Sequence, residues 1–182
     1  NAEKFVKYYD ETLNIITQKT SNLEDTEKPL IYIAGRDGLL STCGVDMYQD
    51  SIISLTGGKS VGASKEVANI SRGWFKVSPE QIINWDPEYI LVVQYAADVT
   101  PEEILDDPRF QGVSAVRNKK VFWFPSNLKS WDYPGPQAAL GIRWLARLFH
   151  DDIFTDFNLE DDADEFFTEF YGKSFTDLGG IL

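Results

Sequence analysis

The sequence predicts an α/β fold: a mainly parallel sheet flanked by helices, preceded by a long helix. Two observations carry that expectation. Short unbroken apolar runs, Leu30 to Ala34, Tyr89 to Val93 and Val121 to Phe124, recur along the chain and read as strands buried on both faces. Between them stand helix-start signals, Ser78-Pro79-Glu80-Gln81 and Thr100-Pro101-Glu102-Glu103, each a hydroxyl cap followed by proline and acid. Strands that alternate with helices favour parallel pairing.

The elements follow in order. Phe5, Tyr8, Tyr9, Thr12, Leu13 and Ile16 fall at helical spacing, and no clear cap precedes them, so the chain is expected to start inside a helix that begins upstream. The polar stretch from Ser21 to Lys28 ends it. A glycine-bearing loop with Gly35, Gly38 and Gly44 follows the first strand, and Val45 to Leu55 reads as a helix closed by Gly57 and Gly58. Phe75 to Val77 is a short candidate strand. After the third clear strand, a helix following Pro134 and Pro136 carries apolar residues almost all round, from Ala138 to Phe149, and should be largely buried. A last amphipathic helix begins near Asn158 and carries Phe166, Phe167, Phe170 and Tyr171.

Composition narrows the function. The 182 residues, 43% of them apolar, suffice for one domain with a sizeable core. Net charge is −12, and from Asp151 onward ten acids face a single base, Lys173. That balance argues against nucleic-acid binding, which needs a basic footprint. The acidic tail reads as a solvated helix face; Asp161, Asp162, Asp164 and Glu165 lack the glycine and spacing of a calcium loop. One cysteine, Cys43, and one histidine, His150, leave little room for a Cys/His metal site, and no metal or cofactor is expected. No apolar run approaches the roughly 20 residues that span a bilayer.

In parallel sheets, ligands sit at the carboxyl ends of the strands. Three loops qualify: Gly35 to Gly44, Gln94 to Val99 and Pro125 to Gly135. The third holds Trp131 and Tyr133, two stiff rings that can wall an apolar or planar ligand or plug the loop against the next helix. Tyr95 and Trp74 are further ring candidates, with core or interface packing as their alternative. Arg36, beside Asp37, offers a donor fork for an anionic ligand or a surface pair with that aspartate. Catalytic signals are missing: there is no G-x-S-x-G elbow, no G-x-G-x-x-G and no G-K-[ST] phosphate loop. His150, beside Asp151 and Asp152, reads as a helix-end residue, and the pair Asp106 and Asp107 as surface carboxylates.

Several stretches in order resemble the C-terminal lobe of the helical-backbone solute-binding proteins that serve ABC importers of iron siderophores, haem and cobalamin. These are Thr42 to Gln49 leading into Ile52 to Gly58, Val77 to Gln81, Trp85 to Leu91, Val113 to Val121, Trp131 to Pro136, and the closing Phe166 to Gly172. The resemblance implies a lobe-connecting helix and linker in residues 1–27 and a C-terminal α/β ligand-binding lobe in 28–182, with the N-terminal lobe not in this chain. It implies a binding protein without catalytic activity, a metal-chelate ligand, and an ABC permease as partner. It also implies a monomer in the periplasm or lipid-anchored on the outer face of the cytoplasmic membrane. Relatives that bind molybdate or tungstate keep an oxyanion open as the ligand, and an α/β enzyme domain related to chelatases is the alternative of another class. Glu80 matches the family glutamate that docks onto permease arginines.

Overall fold

The computed structural model describes residues 2–35, 37–64, 67, 73–93, 99–125 and 127–182. Helix α1 spans Ala2–Thr20, and strand β1, Leu30–Ala34, follows. Next come β2 (Ser41–Cys43), α2 (Tyr48–Leu55), β3 (Lys59–Ser60), β4 (Trp74–Lys76), α3 (Pro79–Trp85) and β5 (Tyr89–Val92). The chain continues through α4 (Pro101–Asp106), α5 (Ser114–Arg117), β6 (Val121–Trp123), α6 (Ala138–Phe149) and α7 (Leu159–Tyr171).

The main sheet runs β3-β1-β5-β6, and every pairing in it is parallel. Ile31 stands opposite Tyr89 and Ala34 opposite Val92. Strands β1 and β5 are buried on both faces, which is why they read as continuous apolar runs. A separate antiparallel pair, β2 with β4, sets Cys43 opposite Trp74.

The helix starts form as their sequences dictate. The Ser78 hydroxyl accepts the Gln81 N–H at 3.3 Å. At Thr100 the full reciprocal box closes: the Thr100 hydroxyl accepts from Glu103 N, and Glu103 Oε2 accepts from Thr100 N. Helix α2 starts at Tyr48 rather than the expected Val45, because Asp46 turns the backbone left-handed (φ 64°) and Gly44 N–H is spent on Gly73 O. The sequence reading placed a loop where β2 forms and missed the two-residue β3; neither run is long enough to show a period.

Helices α1, α6 and α7 pack together through rings and ion pairs, one of them Lys4 of α1 with Glu169 of α7. Phe5 meets Phe170 edge-on and Tyr8 meets Phe166, with centroids 5.9 and 5.3 Å apart. Arg143 of α6 grips Asp162 of α7 through Nε and Nη2, at 2.9 and 2.8 Å, and lies 3.8 Å above the Phe157 ring. Burial raises the Asp162 carboxyl despite that guanidinium.

Arg143→Ala should therefore cost about 3 kcal/mol in urea unfolding, because it leaves a largely buried carboxylate without its partner. The deficit should shrink as pH falls, since protonating Asp162 removes the stranded charge. A loss below about 1 kcal/mol at neutral pH would show that the pair is replaced by water.

Candidate functional site

Strand order places the site. From β1 the chain crosses to β3 on one side, then returns to β5 on the other. Loops leaving the carboxyl ends of β1 and β5 therefore lead in opposite directions, which makes this a switch point, the place where such sheets bind ligands. Two candidates from the sequence, Arg36 and Tyr95, fall on these loops but lie outside the described residues.

Trp74 stands at the same end. Its ring lies so close over Gly35, the residue after β1, that a Cβ there would sit 1.7 Å from the ring. The ring is half-buried and roofs the carboxyl end of the sheet.

The loop after β6 separates its two rings. Trp131, expected as a ligand wall, is 1% exposed. It packs on Phe175 with centroids 5.5 Å apart, and its carbonyl presses on α6 so closely that a Cβ at Gly141 would lie 2.4 Å from that oxygen. Of the two roles its ring allowed, wall or plug, Trp131 takes the second and packs the loop into the core. Tyr133, two residues on, is 61% exposed. It borders a hollow of about 380 Å³ with Leu128, Lys129 and Pro134. A second hollow of about 390 Å³, on the other side of Pro134, is walled by Phe5, Tyr9 and Tyr48.

Long-range bonds hold this loop, and sequence reasoning missed the residues that make them. Gln49 Nε2 of α2 donates to Asp132 O at 3.0 Å in a buried contact. Asn127 Nδ2 donates to Gly179 O, and Asn127 Oδ1 accepts from Ile181 N, at 2.7 and 3.0 Å. Their partners lie 83, 52 and 54 residues away, so no local pattern marks them.

A buried polar cluster lies beneath β2. Asp50, in the first turn of α2, accepts the Asp46 N–H at 3.2 Å. Burial pushes its carboxyl up, and the charge of Asp46 adds to the rise. Burial also pushes the Cys43 thiol up to about 12, so it stays protonated at neutral pH and is no nucleophile there. Its sulfur lies 3.9 Å from Ser60 Oγ. His150 caps α6, with Nε2 3.2 Å from Gly57 O, which fits a helix-end role. Among the described residues no cluster of three or more His, Cys, Asp or Glu side chains is placed to hold a metal ion, and no helix is long and apolar enough to cross a membrane.

Glu80 is exposed at the second position of α3. Hydrogen bonding from Ser78 and the first-turn backbone, aided by the charge of Arg109, holds its carboxyl below the usual range.

A parallel sheet with a switch point in its strand order, ring-bearing loops and a long helix packed along one side is a fold of the solute-binding class. The chain belongs to the periplasmic binding protein family, whose model matches residues 1–128. It is 29% identical over 175 residues to the molybdate-binding protein MolA of Haemophilus influenzae, covering 96% of this chain and 48% of that protein. The structure of that protein bound to molybdate superposes with a TM-score of 0.79, over 94% of this chain and 51% of the other. A periplasmic solute-binding protein of Veillonella parvula superposes at 0.85, with 26% identity, over all of this chain and 54% of its own. Helicobacter pylori CeuE, in complex with Ni-His, shares the fold at 0.79 and 20% identity, covering 98% of this chain and 55% of that one. The chain thus spans about half the length of the relatives it matches.

Two outcomes follow for the site. Trp131→Ala should cost about 3–5 kcal/mol of stability, as for a fully buried ring, while Tyr133→Ala should stay within about 0.5 kcal/mol. Chemical denaturation of both separates plug from wall; equal effects would overturn the assignment.

Asp50 gives a pH signature. Its folded carboxyl titrates above its unfolded value, so the native state holds the proton longer and stability falls as pH rises through that window. Asp50→Asn keeps the acceptor for Asp46 N–H and removes this slope. The stability difference, Asp50→Asn minus the original chain, should grow from pH 4 to pH 7 in urea titrations; a shrinking difference would contradict it.

Proposed function

We propose that this chain is the C-terminal lobe, with the joining helix, of an extracytoplasmic solute-binding protein that delivers its ligand to an ABC permease. Residues 1–27 then connect the lobes, and the cleft closes against a second lobe of similar size, in keeping with relatives about twice as long.

The ligand read best from the site is a small oxyanion such as molybdate rather than a planar chelate. The observation that carries this is the burial of Trp131. A chelate wall needs facing rings, and this loop presents only Tyr133 among its described aromatic side chains. A small anion needs instead a few convergent donors, which backbone amides, hydroxyls and an arginine supply. Arg36, at the carboxyl end of β1, is the candidate cation. Similarity to a molybdate-binding protein across nearly the whole chain supports the same choice. Tyr133, Tyr95 and Trp74 then close the cleft around the ion, and Glu80 is the contact to the permease.

Calorimetric titration of the full-length protein with sodium molybdate, haem and a ferric siderophore tests the reading. Saturable binding of molybdate is expected, weakened at least tenfold by Arg36→Ala, which removes a charge-assisted contact. Haem or siderophore binding without molybdate binding would return the ligand to the chelate class. The 182-residue chain alone should bind any of them weakly or not at all.

A further inference from the structure

The hollow beside Tyr133 differs in charge from others on this lobe. The groove along α1 and α7 is lined by Glu11, Asp164, Glu165 and Glu169 against two lysines, Lys4 and Lys7. A hollow at Leu39 and Leu40 has Asp37, Glu103 and Asp107 against Arg109. At Tyr133 the wall includes Lys129 and, among the described residues, no carboxylate. On a chain of net charge −12, such a spot is where a small anion meets least repulsion.

The donors at this hollow are uncommitted. Lys129 is exposed and makes no ion pair or hydrogen bond among the described residues, whereas Lys4, Lys7, Lys19 and Lys28 each hold a carboxylate. Ser130 and Tyr133 line the same hollow and add two hydroxyls. The backbone N–H groups of Lys129, Ser130, Tyr133 and Gly135 also donate to nothing among the described residues. These donors are placed before any ligand arrives, because the loop is anchored from inside. Trp131 packs on Phe175, and Asn127 is tied to Gly179 and Ile181. Such prior placement lowers the entropic cost of contact.

We infer that this hollow is an anion subsite, in which the Lys129 ammonium donates to an oxygen of a tetrahedral oxyanion while Ser130, Tyr133 and the loop amides orient it. The inference rests on the reading of the chain as an oxyanion-binding lobe and adds a second cation to Arg36. Two cations suit an oxyanion of charge −2, so the ligand class narrows to tetrahedral dianions, of which molybdate is one.

Calorimetry and amide NMR on the full-length protein with sodium molybdate test this. Lys129→Met removes the charge from an exposed side chain, so the urea midpoint should hold while molybdate binding weakens at least tenfold. Lys129→Arg keeps the charge and should stay within about threefold of the original. In ¹⁵N spectra, molybdate should shift the amides of Ser130, Tyr133 and Gly135 in the original protein, and at the same concentration leave them in place in Lys129→Met. Binding weakened by Arg36→Ala but not by Lys129→Met, with those amides unmoved, would overturn the subsite and leave the oxyanion reading standing. No molybdate binding by the original protein would overturn both. A loss in Lys129→Met that comes with a lowered urea midpoint and is not rescued by Lys129→Arg would assign the lysine to loop stability and remove the subsite.

Discussion

Strand β1 is bonded along both edges and covered on both faces, and the architecture follows from that enclosure. Its backbone pairs with β3 on one side and β5 on the other, and residues 31–34 are shut off from water. A peptide group so enclosed has no solvent to turn to, so the two neighbours must pair with it in register. Both parallel neighbours need crossovers, and these leave in opposite directions. The switch point at the carboxyl end of β1 lies where the strand order reverses. The switch point is thus a by-product of how one central strand satisfies its hydrogen bonds.

The loop after β6 shows a division of labour between its two rings. Its proline- and glycine-rich composition gives it little helical or strand preference. Order comes from outside: the Gln49 amide, the Asn127 clasp on residues 179–181, and Trp131 wedged over Gly141. One ring is spent on anchoring the loop, and the next, Tyr133, is displayed by it. Preorganisation of this kind lowers the entropic cost of ligand contact.

Charge is handled differently in the interior and at the surface. Inside, Asp162 is stapled by Arg143, and Asp50 sits among hydroxyls and a thiol with its proton held more firmly than usual. Outside, the Asp107–Arg109 pair leaves its arginine side chain largely in solvent, and Glu80 is exposed. Exposed pairs add little to stability. Their placement matters for what approaches the surface, by steering and by register.

Local chemistry was enough to mark several elements. Apolar runs marked β1, β5 and β6; the Ser78 and Thr100 caps fixed the starts of α3 and α4; ring spacing marked α1 and α7. Each depends on residues within a turn or two of one another. Ordered stretches of local sequence also sufficed for the family resemblance. Tertiary structure alone decided the rest. Strands β2 and β3, three and two residues long, exist because a partner offers hydrogen bonds, and no period can show in so few residues. The same holds for the two rings of the β6 loop: Trp131 and Tyr133 share a loop and a chemistry, and nothing local separates them. Only Gly141 and Phe175, ten and 44 residues along the chain, make room for one and leave the other in solvent. Burial is set by what the fold brings alongside a side chain, and that is a property of distant residues.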